Sequence, residues 1–272
     1  RRGLVRGLQL IALGYLLNLL RSTLPSLVAG QDALILKSPD SPLASFWVID
    51  ILQMAGLSFL LLTVLKTAVP WRWGWAILAA AIGFVSPLLW EWDGPSRVYG
   101  LWGAGGGVFF PLFPWVVYPL VGMVYGRYLL GVEDRGRMTK QTALLGGVLL
   151  AVGVATFLLP ARGGFDAGGY FRNGPGAQMA VVGFILVWLR ACEALAGRWR
   201  GSRGLGVLCF WSRHVTAVYF VQWVVIGWSV PALGRNRYAS PAAVVFGVGV
   251  LLAAHLAVRV RGRREGRASG PA

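Results

Sequence analysis

Residues 71–92 read WRWGWAILAAAIGFVSPLLWEW. Trp71, Trp73 and Trp75 stand at one end, Trp90 and Trp92 at the other, and no charge lies between Trp75 and Trp90. From Trp71 to Trp92 a helix would rise about 31 Å. That matches a hydrocarbon core about 30 Å thick with an aromatic belt at each face. The stretch therefore predicts a membrane-spanning helix whose tryptophans sit at the two interfaces. Working outward, the requirement of about 20 mainly apolar residues finds seven more candidates, at 7–28, 44–65, 108–130, 141–159, 177–197, 205–230 and 241–258. Pro25 interrupts the first. Pro111, Pro114 and Pro119 crowd the fourth, which predicts a kinked or partly broken helix.

Composition agrees. Apolar residues make up 56% of the 272-residue chain and charged residues 13%, about half the share of roughly 25% in soluble domains. So few charges cannot cover a soluble protein of this size, and so apolar a chain is not disordered. The expected fold is all-α and integral to the membrane, a polytopic helical bundle of about eight transmembrane helices. Residues 1–258 would form the membrane domain and 259–272 a basic cytoplasmic tail. The longest irregular stretches are expected at 29–43 and 163–176.

The net charge of +16 would point to nucleic acid in a soluble protein. Here topology accounts for it. With the N-terminus inside, eighteen of the 26 Lys and Arg fall in cytoplasmic segments and seven outside, Arg21 among them. Cations concentrate on the cytoplasmic side of membrane proteins. The chain is thus expected to be multi-pass in the plasma (cytoplasmic) membrane with both termini cytoplasmic. No nucleic-acid partner is needed, and the tail would lie against anionic membrane lipid. Six of the ten carboxylates fall on the outer side. They either keep cation-poor loops soluble or line a cleft for a polar or cationic substrate. Cys192 and Cys209 sit near cytoplasmic helix ends and read as packing residues rather than a disulfide. The chain opens on RRGLVRGLQL without an initiator Met or a signal-peptide scar. Part of the protein is therefore expected upstream of Arg1.

Soluble-enzyme signatures are missing. No Cys/His group has metal-ligand spacing, so no metal is expected. Neither a G-x-S-x-G elbow nor a P-loop occurs, and GAGGGV at 103–108 reads as a turn. The chemistry must come from polar residues within spans. Asp50 and Gln53, three apart in FWVIDILQMAGL (46–57), share a helix face. Asp50 is either a functional intramembrane carboxylate or an interfacial cap beside Trp47, and Gln53 would bond across helices. Trp115 and Tyr118 lie beside the carbonyls freed by Pro111 and Pro114, which would make either a polar pocket or a packing kink. In FWSRHVTAVYFVQWVVIGW (210–228), Ser212, Thr216, Tyr219 and Gln222 form a stripe about 120° wide on a helix, expected to face a cavity. His214 and His255 read as interfacial. Asp50, Gln53, Pro114, Trp115 and Tyr219 are expected to converge on one pocket reached from the outer side.

Four stretches, in order, resemble a known family. RRGLVRGLQLIALGYLLNLL (1–20) is similar to a basic loop entering a Leu-rich span of multi-pass acyltransferases, and VIDILQMAGLSFLLL (48–62) to their LQ-x-x-G span. FFPLFPWVVYPLVGMVYGR (109–127) resembles the FPLLPW…G…GR segment of the bacterial relatives of heparan-alpha-glucosaminide N-acetyltransferase. SRHVTAVYFVQW (212–223) resembles the late GKNSLxIYxxH helix of membrane acyltransferases, with Gln222 where the pattern often has His and with Ser212 and His214 in place of its Gly and Asn. The resemblance implies transfer of an acyl group, acetyl included, from cytoplasmic acyl-CoA to an extracytoplasmic sugar or similar small-molecule or glycan acceptor. It puts the family's His-bearing segment upstream of Arg1. Arg1, Arg2, Arg6, Arg127, Arg135 and Arg137 would then neutralise CoA phosphates. Asp50, Glu91 or Asp93 would orient or deprotonate the acceptor, and Gln53, Trp115, Tyr118 and the late stripe would line the way between. The alternatives are a transporter or flippase, which should carry paired broken helices, and a non-catalytic membrane scaffold, which needs no buried polar stripe.

Overall fold

The computed structural model describes residues 1–30, 43–69, 72–90, 101, 108–158, 173–234 and 240–268. The irregular stretches expected at 29–43, 103–108 and 163–176 fall mostly outside them. Helix α1 (Arg2–Asn18) passes through a π-helical segment, Leu19–Thr23, into α2 (Leu24–Ala29). Then come α3 (Ile51–Ala68), α4 (Arg72–Leu89), α5 (Val117–Leu130), α6 (Arg135–Leu158), α7 (Pro175–Arg198), α8 (Arg203–Arg213), α9 (Val215–Leu233) and α10 (Ser240–Ala268). No strand occurs among the described residues. This is an all-α polytopic membrane bundle. Six helical runs are long and apolar enough to cross a bilayer: Arg2–Ala29, Ile51–Ala68, Arg135–Leu158, Pro175–Arg198, Val215–Leu233 and Pro241–Val260. Their exposed faces carry Leu144, Val148, Phe157, Phe184 and Val245, an exterior suited to lipid. Hydrocarbon offers the backbone no partners, so each span must bond within itself.

Four expected spans are less regular than their hydropathy. The third is a shorter apolar helix, Trp73–Leu89. The fourth is split. Pro111 and Phe113 are extended (φ/ψ −61/144° and −102/114°), which leaves α5 with 14 residues, about 21 Å of helix. The seventh breaks at His214 (φ/ψ −116/20°) between α8 and α9. In the first, Pro25 cannot donate to Arg21 O as an α-helix requires. The chain absorbs the defect upstream, where Leu24 N–H reaches back five residues to Leu19 O.

Tertiary contacts divide the chain into two units, Arg1–Gly14 with Ile49–Arg198, and Tyr15–Val48 with Trp199–Ala272. The first packs largely through glycines. On α1, a Cβ at Gly7 would meet Gly56 O of α3 at 2.9 Å. Helices α6 and α7 run antiparallel, with Gly146 against Gly183 and Gly153 against Gly176, two glycines seven residues apart on each helix. Such close backbone approach drives association where lipid removes the hydrophobic incentive. Thr139 Oγ1 closes one end of this pair by donating to Glu193 Oε2 at 2.6 Å, and Glu193 also pairs with Arg190 at 2.7 Å. Helices α4 and α5 share an apolar core of Trp75, Ala79, Val116, Val117 and Leu120. Trp75 is 0% exposed and Trp73 52%. Trp75 is therefore packed inside the protein, while Trp73 of the same tract is exposed.

In the second unit the π segment and α2 pack on α9, and α9 packs on α10. Trp211 Nε1–H donates to His255 Nδ1 at 2.9 Å and ties α8 to α10.

Candidate functional site

One end of the first unit gathers several of the expected residues. Asp50 is the N-cap of α3. Its carboxylate accepts from Ile51 N at 2.8 Å, and Gln53 Oε1 accepts from Asp50 N at 3.2 Å, closing a capping box. Asp50 is 8% exposed, so the cap is buried rather than wet. Gln53 turns back to its own helix start, and its amide carbon lies 2.6 Å from where a Cβ of Gly14 would stand. Ile49 O accepts from Phe109 N and Phe110 N at 3.0 and 3.4 Å, which joins the start of α3 to the extended stretch before α5. Pro114 is buried there. The Trp115 ring stacks edge-on to Phe110 at 4.6 Å and lies 5.5 Å from Tyr118. Tyr118 Oη accepts from Asn173 Nδ2 at 3.1 Å, and Gln178 Nε2 donates to Asn173 O at 2.7 Å. Asn173 and Gln178 are buried polar groups that the sequence reading passed over. Glu91 and Asp93 lie outside the described residues.

The opposite end of α5 opens into a cavity of about 540 Å³. Arg127, Tyr128 and Gln141 stand on its polar side, and Val121, Val124, Leu145 and Leu186 on its apolar side. The Arg127 guanidinium lies over the Trp75 ring, 5.6 Å from its centre, a cation–π contact that fixes a half-buried cation. Tyr128 Oη reaches Gln141 Oε1 at 3.5 Å. Arg6 is exposed on α1 and does not line this cavity.

The expected stripe on the seventh span is divided by the break at His214. Ser212 belongs to α8 and is exposed, while Thr216, Tyr219 and Gln222 are half-buried on α9. His214 Nδ1 bonds Phe210 O at 2.9 Å within its own helix end. Of the residues expected at one outer pocket, Asp50, Gln53, Pro114 and Trp115 belong to the first unit and Tyr219 to the second.

A second polar constellation, unforeseen from the sequence, surrounds the π segment. Asn18, Arg21, Ser22, Thr23, Ser26 and Ser45 are all buried, Arg21 to 2% exposure. Asn18 Nδ2 donates to Phe46 O and Val48 O at 3.0 and 2.7 Å, and Asn18 Oδ1 accepts from Arg21 Nη2 at 3.1 Å. Thr23 and Ser45 hydroxyls pair at 2.9 Å. Trp223 of α9 covers the guanidinium at 5.2 Å. Arg21 was assigned to an outer loop, but it sits inside the first helical run. The polar run from Asn18 to Ser26 in an otherwise apolar span was the available signal. π-bulges of this kind are frequent at functional sites.

No family model, curated protein or solved structure matches this chain. The functional reading therefore rests on the sites themselves.

Proposed function

We propose that the protein is a plasma-membrane acyltransferase that takes acyl-CoA from the cytoplasm and transfers its acyl group to an extracytoplasmic sugar or similar acceptor. The observation that carries this reading is the cavity at the C-terminal end of α5. It joins an apolar wall to a guanidinium, as a thioester with a phosphate-bearing carrier requires. Arg135, Arg137 and Lys140 are exposed on the first turns of α6, where that carrier would enter. The cation asymmetry supports placing this end, and both termini, in the cytoplasm. The starts of α3, α5 and α7, with Asp50, Trp115, Tyr118 and Asn173, would then face outward and receive the acceptor. In the transfer the acceptor oxygen bonds the acyl carbon, the C–S bond breaks, and the acceptor proton passes to the CoA thiolate. Asp50 is the described carboxylate on the acceptor side, with Glu91 and Asp93 beyond the described residues. Direct binding of labelled acyl-CoA to the full-length purified protein tests the reading, and absence of saturable binding overturns it.

A transporter is the second reading, favoured by one observation. Broken helices occur in both units: before α5 in the first, and at His214 in the second. Paired interruptions are the mark of transport folds. Tracer uptake into proteoliposomes without acyl-CoA binding would select it.

A further inference from the structure

We infer that the cavity at Arg127 holds the acyl chain itself, and that the donor is a medium- or long-chain acyl-CoA rather than acetyl-CoA. The inference rests on the acyl-CoA reading above and adds the substrate class.

Three features carry it. The first is size. A methylene occupies about the space of a water, roughly 30 Å³. A cavity of about 540 Å³ is therefore far larger than an acetyl group and of a size for a chain. The second is the gradient along the walls. Arg127, Tyr128 and Gln141 hold one end. Val121 and Val124 lie further toward the start of α5, and Leu145 lies one turn further along α6. Leu186 stands at the same depth, because a Cβ on Gly146 would meet the Leu186 Cβ at 2.8 Å. The apolar run from Tyr128 to Val121 is about 10 Å deep, room for a chain of about eight carbons. The third is charge. Residues 127–140 hold Arg127, Arg135, Arg137 and Lys140 against Glu133 and Asp134, a net charge of +2, with Arg127 in the cavity lining and the other three on the segment that follows. A net charge of +2 suits a carrier with more than one phosphate better than a singly charged phospholipid headgroup.

The test uses the full-length protein in zwitterionic nanodiscs, with empty nanodiscs subtracted, and compares binding of octanoyl-CoA and acetyl-CoA. Octanoyl-CoA carries six more methylenes than acetyl-CoA and is expected to bind at least about 30-fold more tightly, since burial of only three of them at about fourfold each already gives about 60-fold. Leu145→Trp, which fills the apolar end from an exposed position, is expected to collapse that ratio toward one at unchanged thermal midpoint. Arg127→Gln is expected to weaken both ligands and keep the ratio. Equal affinities for the two ligands, or a preference that survives Leu145→Trp, overturn the chain-length inference and leave the acyl-CoA reading standing. Binding of neither overturns both. Displacement of octanoyl-CoA by phosphatidylglycerol nanodiscs but not by free CoA would assign the cavity to lipid and also overturn the inference.

Discussion

Gly146 and Gly183 face each other so closely that a methyl group on Gly146 would meet Gly183 O at 2.8 Å, and one on Gly183 would meet Gly146 O at 2.5 Å. With Gly153 and Gly176 one heptad away on either helix, this contact lets the α6 and α7 backbones touch. The contact is reciprocal, so neither helix can accept a side chain there without separating.

Gly146→Ala and Gly183→Ala are each expected to destabilise the protein by about 1–3 kcal/mol, the usual cost of overpacking a close contact. Gly147, next in sequence, has no atom within 4 Å of its would-be Cβ. Gly147→Ala is expected to be neutral or to stabilise by up to about 1 kcal/mol through helix propensity. Thermal unfolding in detergent of the three variants separates packing from propensity. Equal behaviour of Gly146→Ala and Gly147→Ala would sink the account.

Asp50→Ala is expected to cost about 0.5–2 kcal/mol, the range for loss of an N-cap. Asp50→Asn keeps an oxygen acceptor for Ile51 N and should stay close to wild type in yield and unfolding midpoint. A large loss of acyl transfer in the Asn variant at normal stability would then report chemistry. Unchanged turnover in both variants would reduce Asp50 to a cap.

The spans were legible in the sequence because a bilayer forces any long apolar run into a self-bonded helix, whatever its neighbours. Faces were not. Trp73 and Trp75 are two residues apart in one tract, and only the position of α5 makes one exposed and the other core. The capping role of Asp50 was readable from its spacing to Gln53, but its burial was not, since that comes from the stretch near Ile49 bonding Phe109 and Phe110. The glycine heptads of α6 and α7 were visible as spacing, yet only their antiparallel register gives them meaning. The polar run from Asn18 to Ser26 was overshadowed by Pro25, which explains a kink but not why six polar groups surround it.

With Arg21 inside a helical run, the segments expected outside keep six of the 26 cations against eighteen in those expected inside. Reporter domains inserted within residues 31–42 and fused after Ala272 are expected on opposite sides of the membrane, the second in the cytoplasm. Protease protection in spheroplasts reads the outcome directly. Both reporters on one side would remove the topology and, with it, the cytoplasmic placement of Arg127.

The π segment is the last test. Beside the π segment, α9 brings Gly227 against the Arg21 backbone, nearer than any Cβ could stand. The ring of Trp223, one turn earlier on α9, can then cover the Arg21 guanidinium. A side chain at position 227 would push α9 away and uncover the cation. Gly227→Ala is therefore expected to destabilise by about 1–3 kcal/mol, while Gly249→Ala, in open space on α10, should be neutral. Trp223 fluorescence in a variant lacking the other tryptophans provides an independent reading, with a red shift in Gly227→Ala as water reaches the ring. If Gly227→Ala unfolds at the wild-type midpoint and leaves the emission unchanged, the close approach of α9 to Arg21 is wrong.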